Sequence, residues 1–231
     1  MLSHVGGSSY EYLGVSQTTG LIDTDLIAIS PNGDGVNESA TYLLSLLRNA
    51  KELNLSVINE DGKVVKEIKT EEFVRKNYYD GGQGQMYYLF SDWTWDGTGK
   101  NGKRAPEGQY YLQAVATLDY EGAEPQTLTF PVKLDVTTPK VKTKLEKDGK
   151  TVTVDVSDKT SGIASWTVLV DGQSVLDAPY VNGETQHVFA NELNKDQTVT
   201  IVAVDNAGNV TENEVKIGSK GNNGNTGNKK N

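Results

Sequence analysis

The stretch Ile29–Glu38, with the sequence ISPNGDGVNE, concentrates side chains whose oxygens could bind a hard cation. Small polar residues alternate with glycines there, so side-chain and backbone oxygens can converge within one tight loop, as calcium requires. Gly33 and Gly35 let the backbone curl without a Cβ clash. The spacing predicts a calcium site with these loop ligands: Asn32, Asp34, the Val36 carbonyl, and Asn37 or Glu38.

This loop is not an EF-hand, because the twelfth position from Asn32 is Leu43 and not the bidentate glutamate. The predicted site therefore needs further oxygens, and Asp23, Asp25 or Asp96 could supply them. The alternative is an Asx turn, in which the polar side chains accept backbone N–H groups and no ion binds. Both interpretations remain open from the sequence.

A second group of polar residues could also bind a cation. Asp158, Asp205 and Asn209 follow strand-like segments and could meet at one end of a later domain. Turn capping is the more common use of Asp and Asn in such positions, so it is the alternative here.

We expect no catalytic centre in this chain. The only histidines are His4 and His187, and neither has a recognisable nucleophile partner in the sequence. The GxSxG and HExxH motifs of hydrolases and zinc proteases are absent. Cysteine is absent as well, which excludes disulfides and zinc–thiolate sites.

The charge of the 231-residue chain limits its partners. A net charge of −9 disfavours nucleic acid and anionic lipid, because phosphate repels carboxylate. No apolar run approaches the roughly 20 residues of a membrane helix, so we expect no membrane insertion. We expect a monomeric, extracellular chain that is a piece of a longer protein.

The elements that carry these residues are predicted to be strands throughout. Short alternating segments flank Asp-Gly turns at Asp61-Gly62, Asp148-Gly149 and Asp171-Gly172, as in hairpins. This pattern predicts two immunoglobulin- or fibronectin-III-like β-sandwiches in tandem, with Trp166 in the core of the second. The expected segments are a loop or linker at 1–25, sandwiches at 26–138 and 139–217, and a disordered Gly/Asn/Lys tail at 218–231.

An aromatic-rich hairpin, NYYDGGQGQMYYLFSDWTW, offers a second functional hypothesis. Its aromatic side chains could form an exposed stacking platform for a glycan or a protein partner. The alternative is that they alternate between the core and a long loop, since sandwich cores commonly contain a tryptophan and nearby tyrosines. The residues concerned are Tyr78, Tyr79, Tyr87, Tyr88, Trp93 and Trp95.

Two blocks of the sequence, IAISPNGDGVNESATYLLSLLRNAKELNLSVINEDGKVVKEI and WTWDGTGKNGKRAPEGQYYLQAVA, resemble the fibronectin-III-like domain of lactocepin-type cell-envelope subtilisin-like serine proteinases. The second block is also similar to the Ig-like module of flagellar hook-capping proteins, through Trp95-Asp96-Gly97 and Gly108-Gln109-Tyr110. The later segments SDKTSGIASWTVLVDG and VTIVAVDNAGNVTENEV resemble bacterial Ig-like repeats.

This resemblance implies a non-catalytic accessory region of a secreted or wall-bound bacterial protease. It implies a protease domain upstream in the parent chain, with protein substrates as further partners, and a spacing role for the sandwiches. It also implies calcium at the loop ligands Asn32, Asp34, Val36 and Glu38, with the side chain of Asn37 as a further ligand.

Overall fold

The computed structural model describes residues 12–16, 27–45, 49–75, 88–181 and 183–217, with the backbone alone at 12–16, 42–45 and 88–93. Every regular element in these ranges is a β-strand, which confirms the predicted all-β class. The same ranges contain no helix that is long and apolar enough to cross a membrane. The chain divides into two compact units, and each unit has two sheets.

Unit 1 contains the described residues up to Thr138 together with two later segments, Asp158–Gly162 and Asp205–Asn209. Its strands are β1 (Tyr12–Ser16), β2 (Ile27–Ile29), β3 (Ala40–Ser45), β4 (Ala50–Asn59), β5 (Val64–Val74), β6 (Tyr88–Trp95), β7 (Gly108–Leu118) and β8 (Gln126–Leu134). One sheet has the order β1-β3-β6 and the other the order β2-β8-β7-β4-β5. Neighbouring strands are antiparallel except β2 and β8, which are parallel.

The core of unit 1 follows from the alternation along β7. Tyr110, Leu112 and Ala114 are buried in the core, while the residues between them are only half-buried. Trp95 is fully buried with its ring 5.0 Å from that of Tyr110, and its indole N–H donates to the Thr98 carbonyl at 2.9 Å. The unit therefore buries its tryptophan without leaving the indole nitrogen unsatisfied.

Unit 2 contains the remaining described residues from Pro139 onward. Its strands are β9 (Lys140–Leu145), β10 (Thr151–Ser157), β11 (Ile163–Val170), β12 (Gln173–Ser174), β13 (Gln186–Val188), β14 (Val199–Asp205, whose last residue belongs to unit 1) and β15 (Val210–Glu214). They form sheets of order β13-β10-β9 and β12-β11-β14-β15. Trp166 is 3% exposed and lies in the core, which confirms its predicted place.

The three predicted Asp-Gly turns are confirmed. They join β4 to β5, β9 to β10 and β11 to β12. Gly62, Gly149 and Gly172 have φ values of 74°, 68° and 82°, which glycine adopts without steric cost. Turn chemistry therefore fixes these hairpins locally.

The predicted loop or linker at 1–25 is wrong for one segment, since Tyr12–Ser16 forms β1 and pairs antiparallel with β3. Because that partner strand lies far along the chain, the local pattern of this short segment could not reveal the pairing. The predicted tail at 218–231 lies outside the described residues. The sandwich limits 26–138 and 139–217 stay predictions, since unit 1 also takes in the two later segments.

Candidate metal centre

The loop that follows β2, Ser30–Glu38, is closed by hydrogen bonds from its own side chains. Asn32 Oδ1 accepts the N–H of Asp34 at 2.8 Å, and Asp34 Oδ1 accepts the N–H of Val36 at 2.7 Å. The first of these bonds is the Asx turn that the sequence left as an alternative. The bond from the Val36 N–H, followed by one from the Asn32 side chain, lowers the pKa of Asp34.

Glu38 closes the other side of the same loop. Its Oε1 accepts the N–H of Gly33 at 2.7 Å and that of Gly35 at 2.9 Å. Both glycines have φ near 90°, so the positive φ predicted to let the loop curl is present. Side chains of the loop therefore accept four of its own N–H groups, and its carboxylates are already engaged without an ion.

Asp96 belongs to a different turn. Its Oδ1 accepts the N–H and the hydroxyl of Thr98 at 3.0 and 2.6 Å. Among the described residues, Asp34, Glu38 and Asp96 do not form a group of converging acidic oxygens. Calcium at Asn32, Asp34, Val36, Asn37, Glu38 and Asp96 stays a prediction, and Asp23 and Asp25 lie outside the described residues.

The turn Asp205–Asn209, with the sequence DNAGN, is built around the carboxylate of its first residue. Asp205 Oδ1 accepts the N–H groups of Ala207 and Asn209, each at 2.9 Å. Asp205 Oδ2 accepts the side-chain amide of Asn209 at 2.9 Å. The turn thus holds both oxygens of a buried carboxylate in fixed positions.

Asn209 connects this turn to the ISPNGDGVNE loop. Its Oδ1 accepts hydrogen bonds from Ser30 Oγ at 2.5 Å and from Asn32 Nδ2 at 3.3 Å. Its Nδ2 also donates to the Asp135 carbonyl at 3.1 Å. Because its oxygen is occupied twice, Asn209 positions Asp205 instead of offering a ligand atom of its own.

Side chains of the loop also lie close to the backbone of the turn. Asn37 Nδ2 donates to the Ala207 carbonyl at 3.1 Å. Gly208 lies so close to the loop that an added Cβ would be 2.7 Å from Val36 Cγ1. The loop singled out from the sequence therefore packs directly on the DNAGN turn.

Three carboxylates meet beside this contact, from Asp135, Asp158 and Asp205. One oxygen of each lies within 4.8 Å of the others. Asp135 follows β8 and is 0% exposed, Asp205 is 1% exposed, and Asp158 is half-buried. All three belong to unit 1. This acidic cluster can hold a metal ion through oxygen ligands.

Backbone N–H groups orient the carboxylates of the cluster. Asp158 Oδ1 accepts the N–H groups of Thr160, Ser161 and Gly162 at 3.0, 2.9 and 3.0 Å. Asp135 Oδ2 also accepts the Ser161 N–H, at 3.0 Å. The cluster is therefore assembled by turn geometry from distant parts of the chain.

The cluster concentrates negative charge where water is scarce. Burial raises the pKa of Asp135, and repulsion from Asp158 raises it further. Burial likewise raises the pKa of Asp205, with repulsion from Asp135 adding to it. Within the described ranges, no lysine, arginine or histidine forms an ion pair with any of the three. Hydrogen bonds alone offset this charge.

Sequence reasoning named part of this group. Asp158, Asp205 and Asn209 were predicted to meet at one end of the second sandwich. The structure brings the three together, but within unit 1. Asp135 was missed, because its place at the end of β8 gives no sign of the contact with Ser161 that brings it into the cluster. In the aromatic hairpin, Tyr78, Tyr79 and Tyr87 and the side chains of Tyr88 and Trp93 lie outside the described residues, while Trp95 is in the core.

The curated relatives of this chain are much longer proteins. The C5a peptidase of Streptococcus pyogenes is 35% identical over 137 residues, which cover 58% of this chain and 12% of that protein. The PI-type proteinase of Lactococcus lactis subsp. cremoris is 23% identical over 232 residues, which cover 87% of this chain and 12% of that protein. The resemblance to cell-envelope subtilisin-like proteinases is thus confirmed over a partial region.

No protein-family model matches the chain. Among solved structures, the fibronectin(III)-like modules of Clostridium thermocellum CbhA align with 87% of this chain and 91% of that chain. The TM-score is 0.41 and the sequence identity is 14%.

Proposed function

We propose that this chain is a non-catalytic, calcium-stabilised accessory region of a bacterial cell-surface serine proteinase of the subtilisin-like class. The observation that carries the proposal is the extent of the match. The chain aligns with only 12% of the C5a peptidase and of the PI-type proteinase, so most of each relative lies elsewhere. The part of each relative outside the match is large enough to contain a separate catalytic domain.

The chemistry of the described residues supports a non-catalytic role. His187 is engaged through Nδ1 with the hydroxyl of Tyr180 at 3.0 Å and packs edge-on against Phe189. A histidine held between two aromatic rings acts in packing, because no nucleophile for general-base catalysis contacts it in the described part of unit 2.

The spacing role follows from the architecture. Each unit has its own apolar core, so the region can act as two folded spacers that hold a catalytic domain away from the cell wall. Calcium would stabilise such a region because an ion bound only by the folded state shifts the folding equilibrium toward that state. The acidic cluster, which consists of oxygen ligands alone, supports the choice of calcium.

The test removes residues 26–217 from the proteinase that carries them. Hydrolysis of a short fluorogenic peptide should be retained, whereas hydrolysis of an intact protein by whole cells should fall. Replacing the region with two unrelated β-sandwiches of similar length should restore protein hydrolysis if the role is spacing. Peptidase activity of the purified chain, retained after repurification, would contradict the non-catalytic assignment.

A further inference from the structure

We propose that the carboxylates of Asp135, Asp158 and Asp205 bind one calcium ion, with the hydroxyl of Ser161 facing the same site. This inference rests on the calcium-stabilised part of the proposed function and gives that ion a location. It differs from the loop site predicted from the sequence, because none of these residues lies between Asn32 and Glu38.

The ligand set selects a hard cation. All three groups are carboxylates, and His187, the one histidine in the described ranges, does not belong to the cluster. Zinc and copper prefer nitrogen or sulfur ligands, whereas calcium takes six to eight oxygens at about 2.3–2.6 Å. Oxygens that lie within 4.8 Å of one another can all contact one such ion.

Among the described residues, hydrogen bonds offset the negative charge of the cluster, and no cationic side chain does. Two of the three carboxylates are almost completely buried, and a buried charge without a partner is strongly unfavourable. A cluster of one or two carboxylates would have less electrostatic repulsion between its members. The fold nevertheless brings three carboxylates together from segments far apart in sequence. A divalent cation would turn this repulsion into attraction.

Ser161 provides a second, independent observation. The residue is 7% exposed, and its Oγ has no hydrogen-bond partner. This hydroxyl lies close enough to the Asp135 carboxylate to lower its pKa, although it does not have the geometry of a hydrogen bond. A buried hydroxyl normally finds a partner, so an oxygen left free beside the Asp135 carboxylate fits a ligand that completes the site.

The surroundings support a fixed site with an open side. Asn209 fixes Asp205, and Ser30 and Asn32 fix the Asn209 oxygen. Asp158 is only half-buried, which leaves the ion a path from solvent. The ISPNGDGVNE loop thus supports the site from outside and does not need to bind the ion.

The test compares the melting temperature of the full chain in EDTA, in millimolar calcium and in millimolar magnesium. Calcium should raise the melting temperature of the wild-type chain by roughly 5 °C or more, and calorimetric titration should give one ion per chain at this site. Asp158→Asn should lose most of the calcium shift. Its Oδ1 can still accept the three N–H groups of the loop, so the variant should fold.

A merely structural role for Asp158 would give a different result in EDTA. Because Asp158→Asn removes one of three repelling charges, it should melt at or above the wild-type temperature without calcium. The matched control is Asp155→Asn, which neutralises an exposed carboxylate three positions away and should keep the full calcium shift.

Three results would overturn the proposal. The first is an undiminished calcium shift in Asp158→Asn. The second is a shift lost in Asp34→Asn and kept in Asp158→Asn, which would place the ion in the loop and leave the calcium-stabilised function intact. A wild-type chain that binds no calcium would remove both the site and the calcium part of the proposed function. The spacing role would still be tested separately, by the deletion of residues 26–217.

Discussion

Ser30 Oγ donates a 2.5 Å hydrogen bond to Asn209 Oδ1, although 179 positions separate the two residues. Both are almost completely buried. This contact joins the ISPNGDGVNE loop to the DNAGN turn, the two most distinctive motifs of the sequence. Through this contact, the loop that the sequence presents as a metal site instead supports the acidic cluster of Asp135, Asp158 and Asp205.

Asn209 should therefore be important for stability. Asn209→Ala removes hydrogen bonds to Ser30, Asp205 and the Asp135 carbonyl and leaves buried polar groups unpaired. We expect a loss of about 2–4 kcal/mol in the free energy of unfolding, measured by urea denaturation. Asn101→Ala is the control, because Asn101 is exposed and accepts one N–H; it should cost less than about 1 kcal/mol. Equal losses in the two variants would contradict the role of Asn209.

The contact between loop and turn should be sensitive to a single methyl group. In Gly208→Ala the new Cβ meets Val36 Cγ1 at 2.7 Å and Asn37 Nδ2 at 3.1 Å. Gly33→Ala is a matched control, because Gly33 has nearly the same φ, 90° against 91°, and nothing within 4 Å of an added Cβ. Gly208→Ala should cost about 1–3 kcal/mol more than Gly33→Ala in urea denaturation.

If the two alanine variants are equally stable, the loop does not pack on the turn as described. Calcium affinity offers a second measurement, since displacing the loop disturbs Asn209 and through it Asp205. Gly208→Ala should bind calcium more weakly than Gly33→Ala.

His187 should make unit 2 sensitive to acid. Burial lowers the pKa of His187 from its usual 6.5. The unfolded chain therefore takes up this proton first as the pH falls, so the stabilisation is complete above pH 6.5 and is lost progressively below it. The pKa follows from the NMR titration of the imidazole protons.

His187→Gln is the control for this prediction, because it removes the titrating ring and leaves His4 in place. The stability of the variant should depend less on pH below 6.5 than that of the wild-type chain. A pKa at or above 6.5, or identical pH profiles for the two proteins, would contradict the assignment.

The local features of the fold could be predicted from the sequence. Asp-Gly pairs at Gly62, Gly149 and Gly172 set the hairpins, because turn geometry depends on adjacent residues. Along β7, residues alternate between buried positions such as Tyr110 and Leu112 and half-buried positions such as Gln113, as the period of a strand requires. The strand at Tyr12–Ser16 was missed because its pairing partner is distant.

The candidate site could be predicted only in part. Asp158 and Asp205 were linked because both follow strand-like segments, and the ends of strands can meet at one end of a sandwich. Asp135 joins them across 26 positions through its contact with the Ser161 N–H, which no local pattern encodes. The direction of Glu38, toward the glycine N–H groups of its own loop, is also invisible in the sequence.

The position of the bound cation can be measured by anomalous X-ray diffraction. Crystals of the full chain grown with calcium, and with terbium as a stronger anomalous scatterer in its place, would locate the ion. We expect one anomalous peak about 2.3–2.6 Å from carboxylate oxygens of Asp135, Asp158 and Asp205. A peak inside the Asn32–Glu38 loop, or no peak at the three carboxylates, would contradict it.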